Sequence, residues 1–104
     1  MKTDLLKIIK HYGIKNQQRK LEEEIFELQE AITTHELKQS VEYEIPLTEI
    51  VDTKEHIAEE LADVLVLLGQ IIHYYDIDKK EIEKLLKYKI GRQLRRIENE
   101  RTNN

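Results

Sequence analysis

The stretch Glu59-Glu60-Leu61-Ala62-Asp63-Val64-Leu65-Val66-Leu67-Leu68-Gly69-Gln70-Ile71-Ile72 decides the fold. From Leu61 to Ile72 it is apolar almost all round, which marks a helix covered on several sides rather than on one face. It is too short to span a bilayer, and it carries Asp63 and Gln70. Burying an unpaired carboxylate costs several kcal/mol, so a helix that keeps Asp63 there usually supplies it with a cation. At about 100° per residue, His56, Glu59, Glu60, Asp63 and Gln70 share one arc of about 100°. One polar stripe therefore runs along an otherwise apolar helix.

Working outward, four helices can be read. The first spans roughly Thr3 to His11, with Leu5, Ile8 and Ile9 inward and Gly13 as its stop. The second opens at Asn16, a good N-cap, and runs to about Leu37 with Leu21, Ile25, Leu28 and Ile32 at helical spacing. Phe26 points away from that stripe, so this helix is expected to be contacted on two sides. Residues 39–54 lose the helical period. Val41 to Ile45 alternates like a short exposed strand and Pro46 follows, which predicts an irregular connecting loop or lid. The third helix is expected to open at Asp52 or Thr53, where Asp52 and Glu55 have capping-box spacing, and to end at Tyr75. After an Asp76-Ile77-Asp78 turn, Asp78 and Glu81 repeat that spacing and open a helix to about Glu98. Residues 99–104 are expected to fray.

The expected fold is all-α: a single domain, a bundle of about four helices per chain. With 104 residues, one Pro, three Gly and 37% charged residues, a sandwich or barrel is a poor fit. That surface exceeds what the other helices of so short a chain are expected to cover, so the bundle is expected to be completed by oligomerisation, as a homodimer or homotetramer, with a compact monomer of wide seam as the alternative. Absence of cysteine excludes disulfides and thiolate metal sites. No secretory signal or membrane span is visible, so a soluble cytoplasmic protein without a membrane partner is expected.

A net charge of −4 argues against nucleic-acid binding, but it hides a split. Residues 1–78 carry −9 and residues 79–104 carry +5. An acidic body followed by a basic helix suits a site that holds a cation and an anion together.

The second helix supplies a counterpart to the Asp63 stripe. Gln17, Lys20, Glu24, Glu27 and Ala31 lie within about 80° of arc along the edge of its apolar stripe. Packing the two helices by these stripes brings Glu24 and Glu27 toward Glu60 and Asp63. Four convergent carboxylates make an oxygen-rich site for a hard divalent ion, Mg²⁺ before Mn²⁺. With 16 glutamates in the chain, an ExxE pair alone would read as a solvated face; the ExxD inside an apolar run is the more telling signal. On the fourth helix Lys89, Arg92 and Arg96 share one face and can neutralise a polyphosphate, whereas Arg95 diverges. His56 is a poor Mg²⁺ ligand, and His11, His35 and His73 read as helix-end or surface residues.

Taken in order, Glu23-Glu24-x-x-Glu27, Glu59-Glu60-x-x-Asp63 in an apolar helix, and the basic Lys89, Arg92 and Arg96 resemble the MazG-like all-α nucleoside triphosphate pyrophosphohydrolases. The lead-in Tyr12 to Gln17 is similar to that of small phage and Gram-positive members. The likeness covers roughly residues 12–97. The resemblance implies hydrolysis of an NTP or dNTP between the α and β phosphates, giving the monophosphate and pyrophosphate. On that reading Glu24, Glu27, Glu60 and Asp63 hold Mg²⁺, and Glu23 or Glu27 orients the attacking water. Lys89, Arg92 and Arg96 face the leaving pyrophosphate, and Gln17 and Lys20 are candidate contacts to phosphate or sugar. Two alternatives stand beside it: a phosphoribosyl-ATP pyrophosphohydrolase activity, and a non-enzymatic helical interaction module.

Overall fold

The computed structural model describes residues 1–40 and 47–103. They form four helices, α1 (Lys2–Tyr12), α2 (Ile14–Ser40), α3 (Leu47–Tyr74) and α4 (Lys79–Asn103), and among the described residues there is no strand. The all-α expectation holds. The chain divides into two compact units, Met1–Tyr74 and Tyr75–Asn104.

In the first unit, α1 ends where Gly13 takes φ 87° and ψ 146°, a backbone conformation that costs a glycine little. The Gly13 N–H donates to the Ile9 carbonyl at 2.8 Å, and α2 begins at the next residue. Asn16 is therefore not the N-cap that its type suggests. It lies inside α2 and its side-chain amide donates back to the Tyr12 carbonyl at 2.8 Å, tying off the end of α1.

α2 and α3 form the main pairing, and α1 packs against both. Gln17 meets Gln70, Glu24 meets Asp63, and His35 meets Thr53, so partner numbers fall as α2 advances and the two helices run antiparallel. Both helices reach further into the expected loop than the lost periodicity suggests. α2 continues through Ser40 and α3 already begins at Leu47, which places Asp52 and Thr53 inside the helix rather than at its cap. The strand-like segment Val41–Ile45 and Pro46 lie outside the described residues.

The apolar core of this unit is small: Ile9, Ala31, Val64 and Leu67 are buried. Gly69 lets α1 approach α3, since a Cβ there would stand 3.0 Å from a Leu5 methyl. Only one side of the apolar stretch is covered. Leu61, Leu65, Val66 and Leu68 are exposed, as is Phe26 on α2.

In the second unit, Asp76 takes a left-handed φ of 51°, tolerable for an aspartate, to turn the chain out of α3. Asp78 caps α4 as its spacing suggests, accepting the Lys80 backbone N–H at 3.0 Å. The expected frayed tail is instead helical to Asn103, and the Thr102 hydroxyl donates to the Glu98 carbonyl at 2.6 Å. No helix among the described residues is long and apolar enough to cross a membrane.

Candidate metal centre and substrate cleft

Three polar levels interrupt the antiparallel α2–α3 seam. The middle one is acidic: one carboxylate oxygen from each of Glu24, Glu60 and Asp63 lies within 4.8 Å of the others. Glu60 and Asp63 sit three residues apart on α3, one turn of one face, and Glu24 comes from the facing helix. Glu24 and Glu60 are buried at 6% and 9% exposure, while Asp63 opens to solvent. Lys20 reaches Glu24 at 3.2 Å and Glu23 at 3.6 Å.

One oxygen of each buried acid, Glu24 Oε2 and Glu60 Oε2, has no hydrogen-bond partner. Buried polar atoms are nearly always satisfied, and ionised carboxylates have no proton to give one another. The electrostatics register this crowding. Burial pushes the Glu60 carboxyl above its usual range, and the charges of Glu27, Glu24 and Asp63 add to the rise. Burial pushes Glu24 in the same direction, but the hydrogen bond and charge of Lys20 outweigh it and hold Glu24 below the usual range. The same contact raises the Lys20 ammonium. Three acids with two orphaned buried oxygens fit a hard divalent cation, whose oxygen ligands they would be.

The expected ligand set is only partly assembled. Glu27 is near enough to act on Glu24 and Glu60 but does not join the three-way cluster, because it lies one turn along α2 on the exposed side. Glu23 is exposed and turned to Lys20. His56 stands outside the cluster beside Glu59 at 3.9 Å. Lys89, Arg92 and Arg96 lie on α4, in the second unit, where the Arg92 guanidinium sits 5.9 Å from the Tyr88 ring centroid.

A cleft of about 200 Å³ runs along the seam, lined by Gln17, Lys20, Glu24, Asp63, Val66, Leu67 and Gln70. Beyond its Gln17–Lys20 rim a larger hollow of about 570 Å³ extends over Tyr12, Asn16, Arg19 and Glu23. Two residues carry more than their sequence reading assigned. Gln70 is 1% exposed, and its Oε1 accepts the Gln17 amide N–H at 2.8 Å. Its alignment with Asp63 on the polar stripe was the available signal. His35, read as a helix-end or surface residue, is buried and lies 2.7 Å from the Thr53 hydroxyl. That pairing depends on the α2–α3 register, which residue spacing does not disclose.

Comparison with known proteins agrees with this architecture. The family described as phosphoribosyl-ATP pyrophosphohydrolase matches residues 8–89, which is most of the chain. No curated protein and no solved structure matches it.

Proposed function

Because the chain belongs to the phosphoribosyl-ATP pyrophosphohydrolase family, within the MazG-like all-α superfamily, we propose that it hydrolyses an NTP or dNTP between its α and β phosphates with Mg²⁺. Membership itself makes it a pyrophosphohydrolase of a nucleotide-like substrate. The observation that carries the metal-dependent reading is the pair of orphaned buried oxygens on Glu24 and Glu60 beside Asp63.

Glu24, Glu60 and Asp63 would hold the ion, Mg²⁺ or alternatively Mn²⁺. Bound there, it supplies Lewis-acid polarisation of phosphate oxygens and a more acidic water. The remaining work falls to the chain. Glu27, beside the cluster and open to solvent, or Glu23, accepts a proton from the water that attacks the α phosphorus. The bond from that phosphorus to the bridging oxygen breaks, and pyrophosphate departs with the electron pair. Lys20 fixes Glu24 as a carboxylate and offers its remaining donors to phosphate or sugar, with Gln17 beside it on the cleft wall. Lys89, Arg92 and Arg96 are assigned to the polyphosphate on the family resemblance. The uncovered Leu61, Leu65, Val66 and Leu68 support assembly with a second copy of the chain, as a dimer or tetramer.

The family match favours a second reading, phosphoribosyl-ATP as substrate. Pyrophosphate release with Mg²⁺, over standard and damaged NTPs and dNTPs and phosphoribosyl-ATP, decides between them. Turnover that Glu60→Gln abolishes is expected. If the wild type turns over none of these, the enzymatic reading falls and a helical interaction module takes its place.

A further inference from the structure

The amide level of the seam is not needed to hold the metal. Gln70 is the most deeply buried polar side chain among the described residues, set beside Val66 and Leu67 in the apolar stretch of α3. An amide there is costly unless bonded, and a leucine would pack without that cost. Gln17 satisfies it with one hydrogen bond. Two glutamine amides, however, hold four N–H donors and two carbonyl acceptors, so one bond uses a small part of what the pair offers. Both residues line the cleft that also contains Glu24 and Asp63.

The spacing fixes their distance from the acids. Gln17 lies seven residues before Glu24 and Gln70 seven after Asp63 on antiparallel helices, so both stand two turns, about 10.5 Å, along the seam. With the triphosphate at the acid cluster, a nucleoside lying past Lys20 reaches toward this level. The two amides are neutral, and beyond their mutual bond they hold both further N–H donors and carbonyl acceptor capacity. They suit an uncharged edge that carries both, rather than another phosphate. Polar groups few in number and fixed by burial are what orient a ligand in a largely apolar cleft.

We infer that the Gln17–Gln70 amide pair is the specificity-determining subsite of this cleft, reading an uncharged hydrogen-bonding edge of the nucleoside two turns from the carboxylates. The inference rests on the pyrophosphohydrolase reading. The edge can belong to the base or to a sugar hydroxyl.

The test is kcat/KM for pyrophosphate release, with nucleotide binding by calorimetry alongside. One arm varies the base at constant sugar; the other compares ribo and deoxy forms of one base. The proteins are wild type, Gln70→Met and the double variant Gln17→Met/Gln70→Met. Replacing both amides by apolar chains of similar length leaves no orphaned partner, so the double variant retains the seam if Gln70→Met alone does not fold. Wild type is expected to discriminate within at least one arm, and the variants to flatten that preference by about tenfold or more. A base arm that flattens assigns the edge to the base, and a ribo/deoxy arm assigns it to the sugar. Equal treatment of all nucleotides by wild type, or a preference unchanged in both variants, overturns the inference and leaves the pyrophosphohydrolase reading intact. A wild type silent in turnover and in binding removes both.

Discussion

The acid cluster makes a prediction that does not depend on knowing the substrate. In Glu60→Gln one of three crowded carboxylates becomes a neutral amide. Glu60 is the acid whose carboxyl burial and the charges of Glu27, Glu24 and Asp63 push upward, so without metal its ionised form opposes folding at neutral pH. The variant is therefore expected to melt at or above the wild-type temperature in chelator. Divalent metal reverses the order. A cation that binds only the folded chain stabilises it by RT ln(1 + [L]/Kd), about 2.7 kcal/mol at a hundred times Kd. For a domain near this size about 1 kcal/mol moves Tm by about 4–8 °C, so the wild type should gain about 10–20 °C. The variant, short of one ligand, should gain only a fraction of that. The assay is thermal unfolding by circular dichroism, in chelator and then in a Mg²⁺ titration, on both proteins. Parallel shifts, or a metal-free variant that melts clearly below wild type, would refute the assignment of Glu60 as a crowded metal ligand.

The other predictions concern the support around the cluster. Glu24 has a lowered folded pKa, so its contribution is present above the ordinary carboxylate pKa and lost as pH falls through the lowered value. Lys20→Met removes the cause: the variant should be less stable than wild type at pH 7, and the difference should shrink on acidification, read from metal-free melts between pH 3 and 8. Glu60, with its raised pKa, has the opposite slope in wild type, losing stability as pH rises from the ordinary carboxylate pKa through the raised value. Ile9→Ala, at the fully buried anchor of α1, should cost about 2–5 kcal/mol and lower the urea midpoint accordingly. Thr53→Val breaks the buried bond to His35 and should cost about 1–3 kcal/mol in the same assay. If a second copy covers the exposed side of α3, Tm should rise with protein concentration; constancy over a hundredfold range would refute that assembly.

How far this was legible from the sequence differs by kind of information. Helical periodicity located α1, α2 and α3 because it reports which side of each is packed, whereas α4, which buries no residue among those described, was found from the Asp78 cap, readable because Asp at that position has one local use. The junction between α2 and α3 was read too widely as a loop. Leu47, Ile50 and Val51 do stand at helical spacing, but the alternation of Val41–Ile45 and Pro46 just before them drew the loop reading across residues that are helical. Asn16 misled because an asparagine can satisfy a helix end from either side, and here it serves the end of α1. The acid cluster was legible from the ExxD on an apolar helix, although the carboxylates that are buried are Glu24 and Glu60, and Asp63, read as the buried one, opens to solvent. That Glu27 stands aside, and that Gln70 and His35 are buried, depended on which residues of α2 meet which residues of α3. No single-helix projection contains that register.

The register also explains why so small a chain has so thin an apolar core. Gln17, Glu24, His35, Thr53, Glu60 and Gln70 are buried, against only four buried apolar residues among those described. The α2–α3 seam, where a two-helix pairing would normally gather leucines, is given over to amides, acids and an imidazole–hydroxyl pair. These groups return little net stability once their desolvation is counted, and the orphaned Glu24 and Glu60 oxygens go uncompensated without a cation. The apolar residues that would have filled that seam stand instead on the other side of α3, as Leu61, Leu65 and Leu68. One helix thus presents a polar working side to α2 and an apolar side outward. The apolar side stands open on the three-helix unit, while the side that faces inward carries the polar groups. That division accounts for both features that made the Leu61–Ile72 stretch unusual: apolar character nearly all round, and an aspartate kept in its midst.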